Sequence, residues 1–336
     1  MNKIAKTVLM TGTALCAAGV VLSTAGYFAG GKDFTYTSDH MYVSGGNSSS
    51  RKNLTVMKKE QIDDFTKLNV DFEDFDLDIR TSDDDHYYME YKLEKNGRKN
   101  PLTWKDKDGE LTLEESAGGS GSYYITYDLG IFSTHADLTE KKDALNTDIL
   151  YIPEKAHLSE AELQLSDGDL TADQLLCKEM TLELLNGDLM LDKGEFEKFD
   201  AKLSDGDLNV KELQCTDNMQ LKSGNGDVTI KKAELADGQI ALSDGDIQID
   251  NSSFNGDMKI NSSCGDVSVE MKNGSAEKTN IYLKATDGDV DTEGLSRGKT
   301  DNEEDTSVYE NKAGASAPTL NVECSDGDIT LTESEK

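Results

Sequence analysis

The stretch Ala161-Glu-Leu-Gln-Leu-Ser-Asp-Gly-Asp-Leu-Thr-Ala172 decides the fold of this chain, because its core recurs with variation through the second half of the sequence. Most of the gaps between successive Gly-Asp steps in the register of this core are 19 or 20 residues, and the last two are 23 and 39 residues. A fixed period of this size indicates a repeat architecture, in which each unit buries its apolar face against its neighbours. The recurring steps begin at Gly168, Gly187, Gly206, Gly226, Gly245, Gly265, Gly288 and Gly327.

Each repeat has two pairs of apolar positions, one on either side of the Gly-Asp step. In the first of these units Leu163 and Leu165 precede the step, and Leu170 and Ala172 follow it. The spacing of two within each pair is typical of a strand with one buried face. The same positions are filled in three further units by Leu182, Leu184, Leu189 and Leu191; by Ala201, Leu203, Leu208 and Val210; and by Ile240, Leu242, Ile247 and Ile249.

The side-chain parity changes between the two pairs, at the Ser/Thr-Asp/Asn-Gly-Asp element, which indicates a sharp turn. We expect glycine to supply a positive φ there, and Asp and Ser to bond to the local backbone. A return loop with one more apolar anchor, such as Phe199, Leu213 or Phe254, would complete each unit. The sequence therefore predicts an all-β fold, a β-solenoid-like stack of strand-turn-strand repeats with two or more parallel sheets.

The repeat region extends beyond the regular run at both ends. Residues 68–79 keep the register of the repeat but carry Phe75 in the glycine position, so we interpret them as a divergent first repeat. Residues 80–160 interrupt the pattern with short strands predicted at 87–93, 111–113, 123–127 and 149–152, and with a hairpin turn at 105–109. These strands are expected to widen or cap one end of the solenoid. Residues 293–317 are polar and are predicted to form a mobile loop before the final repeat, 320–331.

The N-terminal segment predicts attachment to a membrane. Residues 7–31 carry no charge and are long enough to cross a bilayer as a helix, with Lys3 and Lys6 on the N-terminal side. A secretory signal peptide cleaved after Ser23-Thr24-Ala25 is the alternative interpretation, and we favour an uncleaved anchor. The resulting organisation is a transmembrane anchor at 1–31, a polar linker at 32–60 and a β-repeat ectodomain at 61–336. The ectodomain would lie outside the cytoplasm of a single-pass membrane protein.

Composition excludes one class of partner. The 336 residues include 66 acidic and 34 basic ones, for a formal net charge of −32. There is no arginine between Arg98 and Arg297. Because a phosphate-binding surface needs clustered Lys and Arg, the sequence argues against nucleic-acid binding.

The stacked acidic turns are the one chemical feature that repeats, and they allow two interpretations. Ca²⁺ could bind between successive rungs, since it prefers oxygen ligands from loops. The alternative is that each Asp stabilises its turn, and the lack of a nine-residue Gly-Gly-x-Gly-x-Asp repeat favours it. Cys177 and Cys215 share a register position but lie two units apart, too far for a disulfide, so free thiols are predicted. His40, His86, His135 and His157 show no metal-ligand spacing. No catalytic, cofactor-binding or metal-binding residue is therefore assigned.

Three features together resemble a known family: the anchor ending in Gly26-Tyr-Phe-Ala-Gly-Gly31, the strand Asp148-Ile-Leu-Tyr-Ile-Pro153, and the Ser-Asp-Gly-Asp repeats. This is the bacterial "putative adhesin" family, a domain of unknown function on membrane-anchored envelope proteins, and the resemblance covers residues 62–333. It implies a β-solenoid-like ectodomain at the cell surface and no catalytic residues.

The sequence predicts a non-catalytic surface protein, an adhesin or envelope-interaction scaffold that meets a protein or cell-envelope ligand. The alternative is a sensory or regulatory ectodomain that reports envelope stress by binding cationic peptides or a partner protein, which the acidic charge favours. A polysaccharide-cleaving enzyme is disfavoured, because the turns account for every acidic pair and residues 158–292 contain a single tyrosine and no tryptophan.

Overall fold

A computed structural model of the chain describes residues 34–36, 41–43, 54–117, 145–292, 295, 298–303 and 305–335. The chain divides into two compact units, one of Met1–Leu54 with Gly118–Lys141 and the other of Thr55–Ala117 with Lys142–Lys336. The predicted anchor at 1–31 and the strand predicted at 123–127 lie outside the described residues. Within those ranges, no helix has the length and apolar character needed to span a bilayer.

The described part of the first unit is a pair of short antiparallel strands, and the second unit consists almost entirely of strands, with one 3-10 turn at Ala276–Lys278. The strands are β1 (Phe34–Tyr36), β2 (Met41–Val43), β3 (Leu54–Ile62), β4 (Lys67–Phe72), β5 (Asp76–Ser82), β6 (Tyr87–Glu94), β7 (Leu102–Lys107), β8 (Glu110–Glu115), β9 (Thr147–Pro153), β10 (Leu158–Leu165), β11 (Leu170–Asn186), β12 (Leu189–Asp205), β13 (Leu208–Asn225), β14 (Val228–Lys231), β15 (Ala233–Asp244), β16 (Ile247–Phe254), β17 (Met258–Cys264), β18 (Val267–Met271), β19 (Asn280–Thr286), β20 (Val290–Asp291), β21 (Lys299–Glu303), β22 (Thr306–Asn311), β23 (Thr319–Asp326) and β24 (Ile329–Glu333).

The repeats stack into three ladders of parallel strands. The segments before each Gly-Asp step form one ladder, which runs β8, β4, β10, β11, β12, β13, β15, β17, β23, β19. The segments after the step form the second, which runs β9, β5, β11, β12, β13, β14, β16, β18, β24, β20. The return segments of β11, β12, β13, β15 and β16 form the third. The predicted all-β solenoid is confirmed, but these return segments are strands where the sequence predicted loops.

The core lies between the ladders and is filled by the predicted positions. Leu163, Leu165 and Leu170 are each at most 2% exposed, and their equivalents in the other units are buried in the same way. Parallel pairing places each core side chain beside its counterpart in the next rung, as with Leu170 between Leu77 and Leu189. Burying one such leucine contributes about 2 kcal/mol, so the column as a whole stabilises the stack.

One end of the unit is closed by the strands between the first and second repeats. β8 and β9 extend two of the ladders in parallel, while β6 and β7 pair with them in antiparallel fashion. The predicted hairpin is confirmed between β7 and β8, where Asp108 and Gly109 have φ of 57° and 78°. Two successive residues with positive φ are typical of the type I′ turn that matches strand twist.

At the other end the order of the rungs departs from the order of the chain. The last repeat, β23 and β24, lies between β17 and β18 on one side and β19 and β20 on the other. β22 then pairs with β19 in antiparallel fashion, and β21 pairs with β22 in the same way. The prediction of a mobile loop over residues 293–317 is therefore wrong for these two strands. The physical reason is that β19 would otherwise present an unpaired backbone edge.

Candidate functional site

The second aspartate of each Ser-Asp-Gly-Asp element belongs to a continuous hydrogen-bonded ladder. Its carboxylate accepts the backbone N–H of the equivalent aspartate in the next rung, at 2.8–2.9 Å in all eight steps. The sequence predicted that each Asp would stabilise its own turn, whereas the structure shows that it stabilises the turn of its neighbour. In stacking order the nine residues are Asp76, Asp169, Asp188, Asp207, Asp227, Asp246, Asp266, Asp328 and Asp289.

The glycine of each step is required by close approach between rungs. A side chain on Gly187 would begin closer than 3.0 Å to the carbonyl oxygen of Gly168, and the same conflict arises at the other seven Gly-Asp steps. A left-handed φ, which the sequence predicted for every turn, is present at five of the eight: Gly206, Gly226, Gly245, Gly265 and Gly327. Positive φ therefore explains the glycine at five of these turns, whereas close contact with the neighbouring backbone explains it at all eight.

Phe75 stands in the glycine position of the first repeat. Among the described residues no Gly-Asp turn stacks on the side opposite Gly168, where the carbonyl oxygen of Asn146 accepts the backbone N–H of Asp76 instead. Gly168 packs against the carbonyl of Phe75. On the other side lies Arg98, whose guanidinium carbon is 5.6 Å from the Phe75 ring centroid. The fully buried ring also meets Phe72 edge-on at a centroid distance of 5.9 Å. A large apolar side chain therefore fills the space that another Gly-Asp turn would occupy.

The carboxylate of Glu115 accepts hydrogen bonds at the same end of the ladder. Its Oε2 accepts the backbone N–H groups of Glu73 and Asp74, at 2.8 and 2.7 Å. Its Oε1 accepts a hydrogen bond of 2.6 Å from Nη1 of Arg98. The side chains of this ion pair are 1% and 6% exposed. Buried charges need both pairing and hydrogen bonds, and here Arg98 pairs with the Glu115 carboxylate while that carboxylate accepts two backbone N–H groups of the first repeat.

The first aspartate position of the turn forms a second, outer column that alternates in charge. From Asp167 to Cys264 the residues in stacking order are Asp167, Asn186, Asp205, Asn225, Asp244 and Cys264, so no two carboxylates are adjacent. Asn186 Nδ2 donates to Asp167 Oδ1 at 2.7 Å, and Asn225 Nδ2 donates to Asp205 Oδ1 at 2.5 Å. The neutral amides separate like charges that would repel across adjacent rungs.

A shorter aspartate ladder, which the sequence analysis missed, lies at another corner. Asp237 Oδ1 accepts the backbone N–H of Asp257 at 2.7 Å, and Asp257 Oδ1 accepts that of Thr319 at 2.8 Å. The signal was available in the Asp237-Gly238 and Gly256-Asp257 dipeptides, which fall between the regular steps.

The described ranges contain no group of three or more His, Cys, Asp or Glu side chains placed to hold a metal ion. One oxygen of each of the first eight ladder carboxylates is taken by a backbone N–H, which leaves the Ca²⁺ interpretation without a ligand cluster in this part of the chain. Among the described cysteines, Cys177, Cys215, Cys264 and Cys324 are free thiols, as predicted. Phe196 lies between Cys177 and Cys215 in the ladder, and burial raises the pKa of the Cys177 thiol to about 12.

A buried carboxyl group, also missed by the sequence analysis, lies in the core near the first repeat. Asp148 of β9 occupies the column of Leu77 and Leu170, and it is 0% exposed. Neither of its carboxyl oxygens has a hydrogen-bond partner. Desolvation raises the pKa of Asp148 to about 8. A signal was available in the sequence, because Asp148 lies two and four residues before Leu150 and Ile152, which are buried on the same face of β9.

Several solved structures are distant structural neighbours of this chain. A "putative adhesin" from Parabacteroides merdae is 16% identical, with 84% of this chain and 97% of the other covered, at a TM-score of 0.48. A "putative adhesin" from Bacteroides fragilis is 14% identical, with 84% and 98% covered, at 0.40. A "putative lipid binding protein" from Parabacteroides distasonis is 12% identical, with 84% and 97% covered, at 0.43. No curated protein matches the sequence.

A comparison with family models gives a match over most of the chain. The model of the Toastrack DUF4097 family matches residues 65–332, which include the divergent first repeat and the final one. This match spans the solenoid described above, and it confirms that the chain is a member of a family of unknown function. The chain belongs to the Toastrack DUF4097 family.

Proposed function

We propose that this chain is a non-catalytic, membrane-anchored extracytoplasmic β-repeat protein that acts as an adhesin or an envelope-interaction scaffold. The observation that carries the proposal is the aspartate ladder. Its carboxylates recur from rung to rung, and each of the first eight accepts a hydrogen bond from a backbone N–H group of the neighbouring rung. A catalytic carboxyl must instead be free to exchange protons with a substrate. The repeats therefore serve to build a stable, acidic surface.

The sequence supports the attachment in this proposal. Residues 7–31 form an uncharged segment of sufficient length, preceded by Lys3 and Lys6. Basic residues on the N-terminal side favour a cytoplasmic N-terminus, which would leave the solenoid outside the membrane.

The test is to place an epitope after Lys336 and to express the full chain in a bacterial host. We expect the chain in the membrane fraction and loss of the epitope when protease is added to intact cells. Cells with the full chain should also bind immobilised envelope or host-surface material better than cells without it. A cytosolic epitope or equal binding by both cell types would contradict the proposal, as would polysaccharide hydrolysis that is lost on substituting one specific Asp pair.

A sensory or regulatory role is a second candidate, and the net charge of −32 favours it. Such an ectodomain would report envelope stress by capturing a cationic peptide or a partner protein. Salt-sensitive retention of cationic peptides in a pull-down with the full chain would support this role. No retention at low salt would favour the scaffold.

A further inference from the structure

Tyr88 and Tyr151 lie side by side on the outer face of the sheet near the first repeat. They are directly opposite one another in the antiparallel pair β6–β9, so their rings project from the same face. Arg80 of β5 is the neighbour of Tyr151 on the other side. β3 pairs with β6, which brings a fourth strand to this face.

The ammonium group of a lysine on β3 lies over the faces of the two rings. Nζ of Lys59 lies 3.7 Å from the ring centroid of Tyr151 and 4.9 Å from that of Tyr88. Both distances fall within the range of about 6 Å over which a cation is attracted to an aromatic face. The structure thus already shows the kind of group that these rings accept.

Carboxylates reinforce this preference for a cation. The hydroxyl of Tyr151 donates to Glu90 Oε1 at 2.6 Å, and the hydroxyl of Tyr88 donates to Asp84 Oδ2 at 2.8 Å. Each ring is therefore held by a hydrogen bond at its edge, and its face is left to the Lys59 ammonium group. Arg80 also acts on Tyr151, but its guanidinium is paired with Asp78. Two aromatic faces with two adjacent carboxylates therefore favour an alkylammonium group and oppose an anion.

We propose that Tyr88 and Tyr151 form a binding site for an alkylammonium group of a ligand, and that Lys59 occupies this site until the ligand displaces it. Lys59 is solvent-exposed, and a cation–π contact at an exposed position is worth about 0.5–1 kcal/mol. Because this contact is weak, an incoming amine that makes additional contacts can displace the Lys59 side chain from the two rings. The ligand is a free diamine or the lysine side chain of a peptide, and the site does not depend on either role proposed above.

The test compares Lys59→Ala with Lys58→Ala in the full chain. Both changes remove one exposed lysine from β3, and Lys58 makes no contact with either ring in the structure. Binding of pentane-1,5-diamine and of pentalysine is measured by calorimetry at low salt. We expect Lys59→Ala to bind a probe two- to fivefold more tightly than Lys58→Ala, the factor that corresponds to about 0.5–1 kcal/mol.

Adding Tyr151→Leu to Lys59→Ala should abolish this gain, and Tyr88→Leu provides a second ring deletion should the first fail to fold. Tightening with the diamine assigns the site to small amines, whereas tightening with pentalysine alone assigns it to peptide lysines. Equal affinities of Lys59→Ala and Lys58→Ala for both probes would overturn the proposal. So would a gain that survives removal of either ring.

Discussion

Asp148 should make the stability of the solenoid fall steeply as the pH rises. Burial raises the pKa of this carboxyl group from 3.8 to about 8 in the folded chain. Between these values the unfolded chain has lost the proton and the folded chain retains it. The unfolded state therefore binds fewer protons, and the free energy of unfolding decreases by about 1.4 kcal/mol per pH unit. The penalty is absent below pH 3.8, amounts to about 4 kcal/mol at pH 7 and is complete above about pH 8.

Replacing Asp148 with Leu tests this reasoning, because leucine occupies the same column at Leu77 and Leu170. Urea unfolding of both proteins, followed by circular dichroism, gives the difference in free energy of unfolding at each pH. We expect the variant to be the more stable one, with an advantage that grows by about 4 kcal/mol between pH 5 and pH 8. Tyr91, the cross-strand neighbour of Asp148, also has a raised pKa, from burial first and the Asp148 charge second, and it titrates above this window.

Asp85→Leu is the matched control, since Asp85 is an exposed aspartate in the turn before β6. Its stability relative to the parent should not vary with pH in the same way. An advantage of Asp148→Leu that is constant from pH 5 to pH 8 would refute the argument, because it would mean that the buried carboxyl does not retain its proton on folding.

Three further predictions concern the turns, all read from urea unfolding at neutral pH. Gly206→Ala should lower the free energy of unfolding by more than about 2 kcal/mol. Gly97 also has a positive φ but has open space around it, so Gly97→Ala should lower it by only about 1 kcal/mol. Equal losses for the two variants would contradict the argument that Gly206 is required by close approach between rungs. Asp207→Ala should cost about 1–3 kcal/mol, because the N–H of Asp227 loses its acceptor, whereas Asp207→Asn retains a carbonyl oxygen and should cost less. If both variants unfold alike, the carboxylate oxygen is not the stabilising partner. Asn186→Asp would place three carboxylates in adjacent rungs and should lower the free energy of unfolding by up to about 1 kcal/mol. Adding about 0.5 M NaCl should reduce this loss, because salt screens repulsion between exposed charges. A loss that salt does not change would mean that repulsion between the carboxylates is not its cause.

Local features of the fold were predictable, because they depend on residues close together in the chain. The spacing of Leu163 and Leu165 determines which side chains face the core, and the Asp108-Gly109 pair determines the β7–β8 turn. The chemistry of the sites was harder to predict. That Asp207 stabilises the turn of Asp227 depends on which backbone group lies one rung away. That Tyr88 meets Tyr151 depends on the register of two strands separated by a long insertion.

The sequence by itself determined that this chain is an acidic β-repeat protein, since the period of the Gly-Asp steps and the parity of the apolar positions leave little choice of local structure. The tertiary structure decided how the rungs are ordered and what the unusual residues do. The final repeat lies between two earlier ones because covering the edge of β19 and extending the ladders are properties of the assembled sheet. Phe75 replaces glycine because, among the described residues, no Gly-Asp turn stacks on its outer side, and Asp148 is buried because its strand joins the core column. Both outcomes arise from contacts between residues far apart in the chain, which no local pattern encodes.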